Sequence, residues 1–224
     1  VEDLTSYRNA RYARRYAELV RHVREAETLK APGRTELAEA VARYYHKLLA
    51  YKDEYEVARL HTETGFLERI GGMFEGDYKV VFHLAPPLLA GRDPVTGQPR
   101  KRAYGPWMLR AFRLLARLRP LRGTPLDPFA FSKDRRLDRA LLAEYERTIE
   151  GLLPVLDAGN HAAAVELAAL PGAVRGFGHV KERHVEHAAR RRAELLATIE
   201  GAGEPTRRGD GGVGRNRSRV VMAG

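Results

Sequence analysis

Apolar residues recur every three or four positions along most of this chain, and that spacing admits only a protein built from amphipathic helices. From Tyr7 to about Thr28, the residues Tyr12, Tyr16, Leu19, Val20, Val23 and Ala26 share one face while arginines fill the other. After the breaker Ala31-Pro32-Gly33, Thr35 is placed to cap a longer helix, with Glu36 near its positive end. The stripe Leu37, Val41, Tyr44, Leu48, Tyr51, Tyr55 and Ala58 carries this helix to about His61, a span on the order of 40 Å, which makes it the expected spine.

Further helices are predicted from Gly65 to Phe74, from Pro106 through Leu115, from Ser132 or Asp134 through Leu152, from Asn160 to Leu170, and from Gly178 to Ile199. The period changes once. Tyr78 to Ala85 alternates Tyr78, Val80, Phe82 and Leu84 against Lys79, Val81 and His83, which reads as a strand. Pro86-Pro87 closes it, Asp93-Pro94-Val95-Thr96-Gly97 reads as a turn, and a second short strand is expected from Pro99 to Tyr104. The expected fold is therefore mainly α, a multi-helix domain over residues 1–203 with a small β-hairpin insertion at about residues 78–104. The Arg/Gly-rich tail, 204–224, lacks any period and is expected to be disordered.

Composition narrows the chemistry. Cysteine is absent from the 224 residues, so the chain offers no thiolate for a disulfide, a zinc site, an iron–sulfur cluster or covalent catalysis. Apolar runs are a few residues long, far short of the roughly 20 that cross a bilayer, so no membrane association and a cytoplasmic protein are expected. The chain opens on Val1 with no methionine, which suits an alternative start, a processed chain or a piece of something longer. The formal net charge of +10 would suit a polyanionic partner. Five arginines against Asp210 alone, between Pro205 and Gly224, place +4 of that charge in the tail.

Short motifs carry little. Gly209-Asp210-Gly211-Gly212 matches the start of a thiamine diphosphate and magnesium motif, but no strand precedes it and the required distant asparagine is missing, so it reads as coincidence. Gly212-Val213-Gly214 fails in the same way as a dinucleotide fingerprint. His184 and His187 could share a helix face, but without a metalloprotease glutamate and among Arg183, Arg190, Arg191 and Arg192 they read as solvated; no metal ligand is assigned. His22, His46, His61 and His161 read as ordinary helix residues. Asp53, Glu54 and Glu56, beside Lys52 and Arg59, read as a surface ion-pair network on the long helix.

The most suggestive constellation is Arg175-Gly176-Phe177-Gly178-His179-Val180-Lys181. Glycines flanking an aromatic before a helix would bare backbone N–H groups at a positive helix end, with three basic side chains close by. An anion or an acidic partner group could sit there; a tight turn plugged into the core by Phe177 is the plain alternative.

Several runs together resemble one family: ARYYHKLLAYKDEYEVARL at 42–60, FEGDYKVVFHLAPPLLAGRDPVTGQPRKRAYGPWMLRAF at 74–112, LRGTPLDPF at 121–129 and RGFGHVK at 175–181. In order and spacing they are similar to the C-terminal region of the long, fused indolepyruvate ferredoxin oxidoreductases, over roughly residues 5 to 200. That resemblance implies a parent enzyme that decarboxylates 2-oxoacids on thiamine diphosphate with magnesium and passes electrons through iron–sulfur clusters. Those groups belong to other domains, so this chain is expected to bind no cofactor, to supply no catalytic residue and to be inactive alone. Its expected role is a structural and interaction domain whose partners are the catalytic domains or subunits. The candidate interface is His83, Pro86, Pro87, Tyr104 and Trp107, because exposed aromatics and proline-rich apolar loops favour contacts. The resemblance leaves open whether the chain is a fragment, a split subunit or a relic, and its oligomeric state. The alternative is a basic helical module that binds nucleic acid, although no helix-turn-helix or RNA-recognition pattern is present in the fold region.

Overall fold

A computed structural model of the chain describes residues 1–85, 91, 100–176 and 178–202. Pro86-Pro87, the 93–97 turn, Phe177 and the 204–224 tail lie outside the described residues. The order is α1 (Glu2–Tyr7), α2 (Ala10–Lys30), α3 (Glu36–Leu49), α4 (Glu54–Thr62), α5 (Phe66–Gly71), β1 (Phe82–Leu84), β2 (Arg102–Tyr104), α6 (Met108–Arg117), α7 (Lys133–Leu152), α8 (His161–Ala169) and α9 (His179–Ala202). The mainly helical fold with a small antiparallel hairpin is as the sequence predicts.

Three helix boundaries differ from expectation, the mildest being α5, predicted to reach Phe74 but ending at Gly71, where Gly71-Gly72 stop it. The first predicted helix starts late because the Asn9 side chain accepts from Tyr12 N–H and caps α2, leaving α1 as a separate turn-and-a-half before it. The predicted 40 Å spine is broken between Leu49 and Glu54. Asp53 there becomes an N-cap, its carboxylate accepting from Glu56 N–H at 2.7 Å. The carbonyls freed by the break are taken in trans: Tyr12 Oη donates to Leu49 O at 3.1 Å and Tyr7 Oη to Tyr51 O at 2.9 Å. A continuous helix would have required those carbonyls for itself, and the phenols of α1 and α2 supply the compensation.

Thr35 occupies the N-cap position of α3 without capping it. The work is done by Glu27 of α2, whose two oxygens accept from Leu37 and Ala38 N–H at 2.8 and 2.9 Å. That carboxylate meets the positive end of the helix, and His161 Nε2 lies 2.7 Å from Glu27 Oε1.

Helix α3 is the centre of the larger core. Leu37, Val41, Tyr45 and Leu49 are buried against Leu19 and Val23 of α2, Tyr145 and Ile149 of α7, Leu167 of α8 and Ile199 of α9. Each such aliphatic side chain contributes about 1.5–3 kcal/mol by leaving water. Ser132 Oγ accepts from Arg135 N–H and starts α7, as predicted.

A smaller core forms between α4, α6 and the hairpin, where Ala58, Phe82, Met108, Phe112 and Ala116 are buried with Phe66, Leu84 and Tyr104 against them. The predicted strand 78–85 pairs only over Phe82–Leu84, with Phe82 opposite Tyr104 and His83 opposite Ala103. Two strands of three residues cannot stand alone, so this hairpin exists by leaning Phe82 on Phe112 of α6, ring centroids 5.3 Å apart.

Candidate functional site

The two cores meet at a buried ionic junction. Arg122, 3% exposed, forms a bidentate pair with Asp53, 2% exposed, with Nε–Oδ2 at 2.5 Å and Nη2–Oδ1 at 2.8 Å. Its third nitrogen donates to Tyr7 O, and its Cζ lies 3.8 Å from the Tyr7 ring centroid. Burial opposes the charge, but hydrogen bonds to Asp53 and the neighbouring negative groups outweigh it and hold the Arg122 pKa above its ordinary value. The loop that carries Arg122 is fixed by Asp127, which accepts from Gly123 N–H, Phe129 N–H and Tyr55 Oη. Gly123 has φ +71°, a left-handed conformation that glycine adopts without strain.

Alongside, Arg135 of α7 pairs with Glu54 at 2.9 Å and Asp138 at 3.0 Å, and its guanidinium lies 5.0 Å from the Tyr51 ring centroid. Lys181 of α9 completes the chain of charges by pairing with Asp138. The carboxylates predicted to form a local surface network are thus divided. Glu56 does pair with Arg59, at 2.8 Å, whereas Asp53 and Glu54 reach Arg122 and Arg135. Lys52 takes no part among the described residues. The junction spends its charges internally, which suits it to clamping elements together.

In the Arg175 to Lys181 loop, Gly176 and Gly178 have φ +85° and +57°, so the glycines do make the turn that leads into α9. Lys181 is turned inward to Asp138, while Arg175 and His179 are exposed. His184 Nδ1 lies 2.8 Å from Arg175 O and 3.4 Å from Arg175 N; the shorter contact favours a protonated Nδ1 donating to the carbonyl. Lys47 Nζ donates to Pro171 O at 2.7 Å and Val174 O at 2.9 Å, and burial, with Arg175 and Lys181 nearby, pulls its pKa below the usual value. Beneath lies an apolar cleft of about 60 Å³ lined by Leu141, Tyr145, Pro171, Val174 and Val185.

Among the described residues, Glu27, Glu36 and His161 could present ligand atoms within 4.8 Å of one another. Both Glu27 oxygens are already engaged by the start of α3, and Glu36 is exposed, so the trio reads as a helix cap. Sequence spacing gave no sign of it, because Glu27 and His161 are 134 residues apart. Nor did it mark His61, which lies against Phe66, Phe82 and Phe112 with centroids 4.7–5.6 Å away.

The predicted interface residues that are described all belong to the small lobe, but the register puts His83 on the face of the hairpin opposite to Tyr104. His83 is exposed on β1, Tyr104 is half-buried on β2, and Trp107 is 59% exposed with its ring 5.9 Å from that of Tyr104. Phe74 stacks on Tyr78 at 5.7 Å, both largely in solvent.

Residues 1–194, all but the last turns of α9 and the tail, match the family of unknown function DUF6537. The chain belongs to that family. The match covers the small core, the junction and all buried residues of the larger core except Leu195 and Ile199, so the family domain includes the small lobe as well as the α3-centred bundle. No curated protein and no solved structure matches the chain.

Proposed function

We propose that this chain is a non-catalytic structural and interaction domain that packs against the catalytic parts of an indolepyruvate-type 2-oxoacid ferredoxin oxidoreductase. The observation that carries the reading is the apolar surface of the small lobe, where Trp107, Phe74, Tyr78 and Leu114 stand 47–60% exposed beside one small core. A lobe with so thin an interior gains from covering that surface, and aromatic side chains are those that interfaces favour. The resemblance of four sequence runs to the C-terminal region of those enzymes supplies the identity of the partner. Thiamine diphosphate, magnesium and iron–sulfur clusters would be held by the partner; a chain without cysteine offers no cluster ligand.

Co-expression with the thiamine-dependent and cluster-binding parts of such an enzyme, followed by affinity purification, tests the proposal. Stoichiometric co-purification is expected, and its absence at physiological salt overturns the reading. The nucleic-acid alternative rests on the +10 charge and predicts a different result. Residues 1–204 would then bind a nucleic acid sequence-selectively at physiological salt, whereas charge-driven binding would fall steeply with salt and be mostly lost with the 205–224 tail.

A further inference from the structure

Helix α6 carries two jobs on different sides. Met108, Phe112 and Ala116 are buried in the small core. About a third of a turn away, Trp107, Ala111, Leu114 and Leu118 follow one another at spacings of four, three and four, and all are exposed. Trp107, Leu114 and Leu118 are 59%, 60% and 40% exposed. Trp107 has helical φ and ψ as the N-cap, so the stripe runs unbroken over about 16 Å.

A 4-3-4 spacing is that of a coiled-coil seam, which receives the side chains of another helix as knobs into holes. Ala111 at its centre lets a second backbone come close. The flanks of the seam differ. On one side lie Met108 and Leu115, packed into the lobe's own core. On the other lie Arg110 and Arg117, exposed, with Arg113 beyond them; among the described residues none of these three forms an ion pair. From Arg100 to Arg119 the chain has seven cations and no carboxylate.

We propose that this face of α6 docks an acidic amphipathic helix of a partner protein, with apolar residues on the Trp107–Leu118 stripe and glutamates or aspartates facing Arg110 and Arg117. Charge complementarity selects the occupant, and the one-sided flank fixes which edge of the incoming helix is acidic. An anionic lipid surface fits less well, because a helix that lies in a membrane exposes basic residues on both sides of its apolar face, whereas one side here is folded into the protein. The inference deepens the interaction-domain reading and rests on it for the biological partner.

The test uses the full chain, whose single tryptophan is Trp107 and therefore reports on the stripe directly. The probes are two synthetic helical peptides of about three heptads with leucine at the seam positions, one with glutamate and the other with lysine at the flanking positions. The glutamate peptide should change Trp107 emission and bind roughly tenfold more tightly than the lysine peptide at low salt, a preference that shrinks as salt is added. Leu114→Asp should weaken binding at least about tenfold, and the double variant Arg110→Glu/Arg117→Glu should reverse the preference. All three positions are solvent-facing, and unchanged circular dichroism and melting confirm that the variants fold. Equal binding of both peptides, or of neither, overturns the proposal. So does binding of phosphatidylserine vesicles or of double-stranded RNA that Leu114→Asp abolishes.

The two readings fail separately. If the catalytic parts do not co-purify but the glutamate peptide binds through the stripe, the oxidoreductase reading falls and the docking face stands. If co-purification succeeds and is indifferent to Leu114→Asp and to the arginine reversal, the docking face falls and the reading stands.

Discussion

The two cores treat their aromatic residues in opposite ways. Around α3, tyrosines dominate and each buried hydroxyl finds a fixed acceptor: Tyr7 on Tyr51 O, Tyr12 on Leu49 O, Tyr45 on Glu146 and Tyr145 on Ala168 O. In the small core cluster the buried aromatics are Phe82 and Phe112, without a polar atom, and Trp107, Phe74 and Tyr78 face solvent. A buried phenol that must find one acceptor specifies one packing arrangement, whereas rings held by apolar contacts alone tolerate several. The α3 core thus specifies one arrangement, while the small lobe leaves aromatic surface in solvent, as the proposed docking role requires.

The ionic junction between them should show the largest effect. Arg122→Met leaves the Asp53 carboxylate buried without its partner and is expected to cost about 3–5 kcal/mol in thermal or denaturant unfolding. The double variant Asp53→Leu/Arg122→Met should recover the part due to the stranded charge and keep a deficit of about 1 kcal/mol from the lost α4 cap. An Arg122→Met protein that melts like the parent would remove the junction from any account of how the cores are joined.

Next come matched deletions in the two cores. Ile149→Ala in the larger core should cost about 2–5 kcal/mol and Phe112→Ala in the smaller about 3–5 kcal/mol. Amide hydrogen exchange separates them: Ile149→Ala should accelerate exchange throughout α3, α7 and α8, and Phe112→Ala should do so in α4 and α6 while α3 stays protected. Equal loss of protection in α3 for both would make the two cores a single cooperative unit.

Alkaline pH sharpens the contrast further. Burial raises the Tyr12 pKa to about 12 from an ordinary 10.0, and raises those of Tyr7, Tyr45 and Tyr145 as well. Because the folded form holds these protons more tightly, their stabilisation is whole below pH 10 and, for Tyr12, is lost between about pH 10 and 12. Tyrosinate absorbance and circular dichroism followed together should show the α3 core unfolding in that window. Near-complete tyrosine ionisation with the helices intact would contradict it. The smallest effect belongs to Trp107→Ala, which should move stability by no more than about 0.5 kcal/mol, because a ring already in water has little to lose; its cost should appear only in association.

Periodicity made most helices legible, since α2, α3, α7, α8 and α9 each keep an apolar stripe that the core requires. It could not show where the long helix breaks, because Leu48, Tyr51 and Tyr55 continue the same spacing across the gap. The break is set by groups far away in sequence, the Tyr7 and Tyr12 hydroxyls and Arg122. The candidate site divides in the same way. Trp107 and Tyr104 could be named because aromatics beside a proline-containing loop favour contacts, and the glycines of the 175–181 loop because their spacing signals a turn. That Lys181 faces inward to Asp138 depends on how α9 crosses α7, which no local pattern encodes.

The Asp53–Arg122 pair spans 69 residues and the Arg122–Tyr7 contact 115, whereas Glu27 meets the start of α3 only ten residues on. Loop-closure entropy makes the long-range contacts the costlier ones to form first. On that ground the α2–α3 hairpin, locked by Glu27, is expected to form early and the arginine latch to close after the transition state. Removing the latch should then speed unfolding by nearly the whole of its energetic cost and leave the refolding rate almost unchanged, a division that stopped-flow kinetics on Arg122→Met can measure. For this molecule the junction between the cores would govern how long the native state persists once formed, more than how fast it is reached.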